Sequence, residues 1–232
     1  EKLLTDTIEA LSPAEKAVAR AIHELEDLER REREFEKESQ AFAEATHAQA
    51  LEAALKTVRE LQKREDSIRV DSIMANNAAD KAGGDKALKA LQEPQKKLST
   101  DAALAAKDLA AAAEKLGKDK PPAGAEAAKD SAERALKQAA AALADAPKAM
   151  DAAAGKLGEA AGKDAVAQEE LAADHLKRAE EALAKALENE HKRVEAAMTD
   201  IANKQAVLRG QTDEVAGRLA GLAQAAEGPD AA

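Results

Sequence analysis

The fold is decided by a regular stretch near the end of the chain, residues 187–222, which reads LENEHKRVEAAMTDIANKQAVLRGQTDEVAGRLAGL. An apolar residue recurs at every seventh position of this stretch: Leu187, Val194, Ile201, Leu208, Val215 and Leu222. A second series follows four residues after each: His191, Met198, Gln205, Thr212, Leu219 and Ala226. Alternating steps of four and three form the seam of a coiled coil or of a bundle of long helices. The pattern predicts one helix from about Asp164 to Ala226, about 90 Å long at about 1.5 Å per residue.

Two positions of this seam, Gln205 and Thr212, are polar, and two interpretations of them stay open. The packing could be locally loose and hydrated there. Alternatively, a buried polar residue could fix the alignment of the helices at a cost in stability.

The composition favours an all-α protein. The 232 residues are 45% apolar, 34% charged and only 1% aromatic, with Phe35 and Phe42 as the aromatic residues and no Tyr, Trp or Cys. An aromatic-rich core is therefore excluded, and burial must come from aliphatic residues and many alanines, which allow helix axes to approach closely. We expect an elongated antiparallel helical bundle, or coiled coil, of long helices.

The net charge of −10 disfavours two classes of partner. Nucleic acid is bound through Lys and Arg, and an anionic membrane surface attracts the same residues. The sequence contains no apolar run of about 18 residues, so no transmembrane segment is predicted within it. The chain begins at Glu1, and residues 1–11 are predicted to be the tail of a helix. We therefore interpret the chain as a fragment of a larger protein whose compartment the sequence leaves open.

Turn and cap residues divide the chain. A helix is expected to start at Ser12-Pro13, with a bend near Ala45 left open, and the next to end at Gly83-Gly84. Pro94 predicts a kink or a delayed helix start, and residues 117–124 form the clearest loop. We predict an N-terminal helical arm, 1–82, and an Ala-rich bundle, 83–232, ending in the long helix 164–226, the two forming one continuous unit. Short connections predict antiparallel neighbours.

A weak internal repeat relates residues 61–72 to residues 201–212, with Glu65 falling on Gln205 and Ser72 on Thr212. Together with the antiparallel order of the helices, the repeat predicts that its two copies pack against each other. Chance similarity between two helices of the same seven-residue period is the alternative.

The motif Gln205-x-x-Leu208-x-x-x-Thr212 resembles the repeated Gln-x-x-Leu-x-x-x-Thr helices of large uncharacterised bacterial membrane-anchored proteins with Ala/Glu-rich coiled-coil regions, a domain of unknown function. The stretch from Ala149 to Leu183 resembles their helix-loop-helix segment. The likeness covers about half of the chain. It implies a helical architecture and leaves room for a membrane anchor outside this fragment, and it implies nothing catalytic.

The best candidate for chemistry is a metal site. Glu44-x-x-His47 and Glu188-x-x-His191 each place a carboxylate and an imidazole one helical turn apart, as in the di-iron site of ferritin-like bundles. Yet 45 of the 232 residues are acidic, so about one of the four histidines would have an acid three positions before it by chance. Exposed or seam-edge histidines are the default, and neither a metal nor any other cofactor is predicted.

The leading functional hypothesis is a non-catalytic structural or scaffold region, with helices of the same or of another protein as partners and no enzyme activity. Two alternatives stay open. One is a ferritin-like metal-binding module, and the other is apolipoprotein-like binding of lipid or of an amphipathic helix.

Overall fold

The structure, a computed structural model, describes residues 13–44, 47–118 and 126–226, with the side chains of 16–36, 47–118 and 126–222. The described residues are helical apart from short turns, and none of them lies in a strand. The helices are α1 (Pro13–Glu44), α2 (Ala48–Asn76), α3 (Lys81–Ala90), α4 (Gln92–Lys118), α5 (Glu126–Gly158) and α6 (Gly162–Ala226). The prediction of an all-α helical bundle is confirmed.

The chain divides into two units. One, the helix pair, consists of α1 and the part of α6 from Glu195 onward; the other, the bundle unit, is Ala45–Val194 and contains α2 to α5 and the beginning of α6. This division differs from the predicted one, which separated residues 1–82 from 83–232. The reason is that α2 packs into the core of the Ala-rich helices.

Cross-helix bonds give the directions of the helices in the bundle unit. Between α2 and α6, Ser72 Oγ donates to Glu169 Oε1 (2.7 Å), and Arg59 Nε donates to Glu180 Oε1 (2.7 Å), so the two helices are antiparallel. Helices α4 and α5 are antiparallel as well, as the bonds Ser99 Oγ to Pro147 O and Lys129 Nζ to Gly117 O show. The broken helix α3–α4 returns along α2, which completes an up-and-down bundle.

The core of the bundle unit is one continuous apolar cluster along all the long helices of that unit. Its fully buried members are alanine or larger aliphatic residues at steps of three and four, among them Leu51, Val58, Leu98, Ala102, Ala113, Ala139, Leu143, Ala146, Met150, Ala172, Leu176, Ala179 and Leu183. A second cluster, Leu88, Leu157 and Ala165, lies where α3 meets the α5–α6 turn. The predicted use of aliphatic residues and alanine in the core is observed.

The two copies of the repeat lie in different units. Residues 61–72 lie in the bundle unit, where Ser72 bonds Glu169 in the first part of α6, whereas residues 201–212 belong to the helix pair. That the two copies pack against each other stays a prediction.

The prediction that Gly83-Gly84 ends a helix is wrong. Helix α2 ends at Asn76, and both glycines lie inside α3. A Cβ on Gly84 would stand 2.5 Å from the Ala75 carbonyl oxygen, so this glycine allows the backbone of α3 to approach the last turn of α2. The close approach of two helices, and not local turn chemistry, explains Gly84.

At both places where a helix break was an open question, one helix ends and another begins. Near Pro94, α3 ends at Ala90 and α4 begins at Gln92, because proline has no N–H to donate to the Ala90 carbonyl. Near Ala45, α1 ends at Glu44 and α2 begins at Ala48, with residues 45–46 outside the described ranges. Helix α1 has Pro13 as its first residue, and Ser12 lies outside the described ranges. Of the predicted loop 117–124, residues 117–118 belong to α4 and residues 119–124 lie outside the described ranges.

The turn between α5 and α6 has a non-glycine residue in the left-handed region. Ala160 has φ of 56°, its N–H donates to Leu157 O (3.0 Å), and the Ala161 N–H donates to Lys156 O (2.9 Å). This pair of bonds is the Schellman motif, in which glycine is the preferred residue at the left-handed position.

The helix pair has a small core of its own. Ala21, Leu28 and Val215 are buried, and Leu25, Leu208 and Leu219 pack against them. An ion pair joins Arg218 of α6 to Glu24 of α1, and Phe35 lies beside Val207 and Leu208 in a shallow groove, so these helices are antiparallel too. The side chain of Phe42 lies outside the described residues.

Gly84→Ala is expected to lower the free energy of unfolding by about 1–3 kcal/mol, because the new methyl group meets the backbone of α2. Gly155→Ala, also inside a helix but with no atom within 4 Å of the added Cβ, should raise it by about 0.5–1 kcal/mol. Urea unfolding followed by circular dichroism measures both. Stabilisation by both changes would contradict the close approach.

Ala160→Gly is expected to raise the free energy of unfolding by about 0.5–1 kcal/mol, since glycine adopts positive φ without steric cost. The matched control is Ala152→Gly, an exposed position inside α5, which should lower it by about 1 kcal/mol. Equal losses for the two variants in urea unfolding would show that Ala160 is not in the left-handed conformation.

Candidate functional site

Four polar residues lie in the interior of the bundle unit with essentially no exposed surface. Glu65 and Ser72 come from α2, Gln95 from α4 and Glu169 from α6, each with 0% of its surface exposed. We call these four residues the acidic layer. Burying carboxylates is costly unless they are paired or protonated, so this layer is the part of the bundle in which chemistry is most to be expected.

The helical period itself places these residues inside. Glu65 and Ser72 follow the buried Val58 at successive steps of seven, and Gln95 follows the buried Leu88 by seven. Glu169 stands four residues after Ala165 and three before Ala172, both buried. The polar residues thus occupy seam positions that are otherwise apolar.

Hydrogen bonds connect the acidic layer across three helices. The Gln95 amide Nε2 donates to both oxygens of Glu65, at 3.1 Å to Oε1 and 2.9 Å to Oε2. Ser72 Oγ donates to Glu169 Oε1 at 2.7 Å. Two buried acceptors, Gln95 Oε1 and Glu169 Oε2, have no hydrogen-bond partner among the described residues.

Burial shifts the titration of both carboxyl groups upward. Loss of hydration raises the pKa of Glu65 to about 7; the nearby Glu169 carboxylate adds to this, while the bond from Gln95 and the charge of Arg69 oppose it. Burial likewise raises the pKa of Glu169, against the opposing effects of the Ser72 hydroxyl and Arg69. With a pKa of about 7, Glu65 can take up or release a proton near neutral pH.

The predicted metal ligands lie elsewhere, at the other end of α2. His47 directly precedes α2, His191 Nε2 is 3.7 Å from Glu52 Oε1, and Glu188 is paired with Lys192 (2.6 Å). The side chain of Glu44 lies outside the described residues. Among the described residues, no group of three or more His, Asp or Glu side chains is arranged to hold a metal ion.

A further buried carboxylate, Glu190, supports the start of α2. Its Oε1 accepts the backbone N–H of His47 (3.1 Å), and both its oxygens accept hydrogen bonds from Arg193 (2.8 and 3.0 Å). Burial by itself raises the pKa of Glu190, but the Arg193 guanidinium and the His47 N–H outweigh it, so the net pKa lies below the ordinary value. Glu190 therefore serves as an anionic cap, supplied by α6, for the N-terminus of α2.

Sequence reasoning did not identify Gln95, Glu169 or Glu190, and it treated Glu65 and Ser72 only as part of the repeat. A usable signal existed, since all five continue the seven-residue spacing of apolar neighbours. What the sequence did not contain was the register between helices that brings the five residues to their partners.

The comparisons with known proteins add no family or relative. Searches against protein-family models, curated proteins and solved structures each found no match to this chain. The resemblance to membrane-anchored bacterial proteins therefore stays a prediction. No helix within the described ranges is long and apolar enough to cross a membrane.

Glu190→Gln is expected to lower the free energy of unfolding at neutral pH by about 1–2 kcal/mol, because it removes the charge that bonds Arg193 and the start of α2. A lowered pKa means that this contribution is present above the ordinary carboxyl value of 4.5 and disappears as the pH falls through the pKa of the folded state. Urea unfolding at a series of pH values tests this.

The control for Glu190 is Glu188→Gln, an exposed glutamate of the same helix that is paired only with Lys192. Exposed ion pairs contribute little, so a smaller loss is expected there. A loss at Glu188 equal to that at Glu190 would argue against the cap.

Proposed function

We propose that the chain is a non-catalytic structural module that acts by packing its helices against each other and against helices of a partner, either a second copy or another protein. The observation that carries this proposal is the use of the α6 seam within the bundle unit. Ala172, Leu176, Ala179 and Leu183 are all fully buried at steps of four, three and four. This part of α6 is thus used for helix packing.

An exposed apolar patch on α2 provides a surface for a partner helix. Val70, Ile73 and Met74 are exposed, and Ile73 and Met74 lie one turn after Val70 on the same face of α2. Apolar residues at such spacing are the anchors by which one amphipathic helix recognises another. The opposite face of α2 packs in the bundle, and within the described ranges this outer patch stays exposed.

The ferritin-like alternative has less support, since the described residues hold no candidate metal cluster and the acidic layer contains no histidine. The lipid-binding alternative draws on the same exposed residues of α2, because an apolar patch can contact lipid as well as protein. An experiment must therefore separate helix binding from lipid binding.

Sedimentation velocity of the full chain over the micromolar range should show association that grows with concentration. The double change Ile73→Lys with Met74→Lys should weaken it about tenfold or more, since two charges enter an apolar contact. The control, Ala53→Lys with Thr57→Lys, adds the same charge at exposed positions near the other end of α2 and should leave association unchanged.

Vesicle flotation decides between the two classes of partner. A chain that stays monomeric and floats with neutral lipid vesicles, and loses flotation on Ile73→Lys with Met74→Lys, would contradict the structural proposal in favour of lipid binding.

A further inference from the structure

The acidic layer has more hydrogen-bond acceptors than donors. Glu65 and Glu169 contribute four carboxylate oxygens and Gln95 an amide oxygen, while the side-chain donors are the Gln95 amide and the Ser72 hydroxyl. Both donor groups are already used, and Gln95 Oε1 and Glu169 Oε2 remain without a partner in the described part of the chain. One added proton would turn one acceptor into a donor.

The charges around the layer are also unbalanced. On α2, Arg69 faces both carboxyl groups, but it is shared with Asp66, whose Oδ1 accepts from Arg69 at 2.9 Å. The buried residues that α3, α4 and α5 contribute are all uncharged. Within the bundle unit, the other buried acid of α6, Glu190, has Arg193 as its own partner. Among the described residues, the two buried carboxylates therefore share one cation, Arg69.

We propose that the acidic layer is a binding site for one proton, held by Glu65 or Glu169, and that loss of this proton loosens the packing of α2 against α4 and α6. The proton comes from solvent and adds to a carboxylate oxygen, so no other bond forms or breaks. The two carboxyl groups together then carry one negative charge instead of two. This site goes beyond the structural function, because it makes the bundle responsive to pH.

The direction of the response follows from linkage. A carboxyl group with a raised pKa binds its proton more tightly in the folded chain than in the unfolded chain, where its value is about 4.5. Stability from this site is fully present below the pKa of the unfolded chain and is lost as the pH rises through the pKa of the folded chain, which is about 7 for Glu65. The acidic layer thus stabilises the bundle at mildly acidic pH, whereas Glu190 stabilises it when ionised.

The first test is urea unfolding of the full chain from about pH 5 to about pH 8.5, with proton uptake on folding obtained from the slope of stability against pH. We expect the urea midpoint to fall as the pH rises through about 7, with uptake of about one proton per chain near pH 6. Glu65→Gln and Glu169→Gln should each flatten this dependence. The controls Glu60→Gln and Glu170→Gln, exposed neighbours on the same two helices, should keep the profile of the unchanged chain.

The second test uses the unchanged chain and so does not depend on whether a variant folds. Carbon-13 NMR of the Glu65 carboxyl group in the unchanged chain should show titration near pH 7. If no carboxyl group titrates above about pH 5.5, the proposal is overturned.

A cation is the competing occupant, because the layer offers only oxygen ligands and one amide nitrogen. Mg²⁺, Ca²⁺, Na⁺ and K⁺ are therefore added separately at about pH 8 and constant ionic strength. No specific change of the urea midpoint is expected. If one of these ions raises the urea midpoint, and does not do so in Glu65→Gln and Glu169→Gln, the acidic layer binds that cation and the proton proposal is overturned.

Discussion

The packing of α2 against the first part of α6 is the interaction on which the bundle unit depends. The two helices are antiparallel, and each presents a stripe of residues at alternating steps of four and three. Whatever residue stands at such a step is buried, because the helical period, and not the polarity of the side chain, decides which positions face the neighbouring helix. Burial of Leu51 and Val58 is favourable because they are apolar, whereas burial of Glu65 costs the hydration free energy of its carboxylate.

Small side chains bring the helices close together at these buried positions. Alanines such as Ala102, Ala139 and Ala172 are fully buried, and the interior they form is lined by methyl groups and backbone. Alanine allows helix axes to approach closely. The partners that the acidic layer has in the structure are protein groups, Gln95 and Ser72, and their hydrogen bonds fix which turn of α2 faces which turn of α4 and α6.

The helical class could be predicted from the sequence because it depends on local spacing, which every long helix repeats. Features that depend on how helices meet could not. Gly84 has the residue type of a helix end, yet it lies inside α3, where its missing side chain matters to the backbone of α2. Ala160 lacks the glycine that would mark its left-handed turn. Gln95 and Glu169 stand on separate helices about seventy residues apart, and only the register of the bundle unit brings both to the same layer.

The two ends of the same α2–α6 contact show that burial alone does not set the charge of a glutamate. Glu190 and Glu169 both occupy seam positions of α6, and burial pushes the pKa of each upward. Glu190 has a guanidinium from its own helix and the N-terminus of α2 beside it, so its pKa falls in the net balance and it stays ionised. Glu169 has a hydroxyl and a share of Arg69, which do not offset its burial. The contact between α2 and α6 thus contains Glu190, which stabilises it when ionised, and Glu65 and Glu169, which stabilise it when one of them is protonated. Its stability is therefore expected to fall at acidic pH because of Glu190 and at alkaline pH because of Glu65 and Glu169.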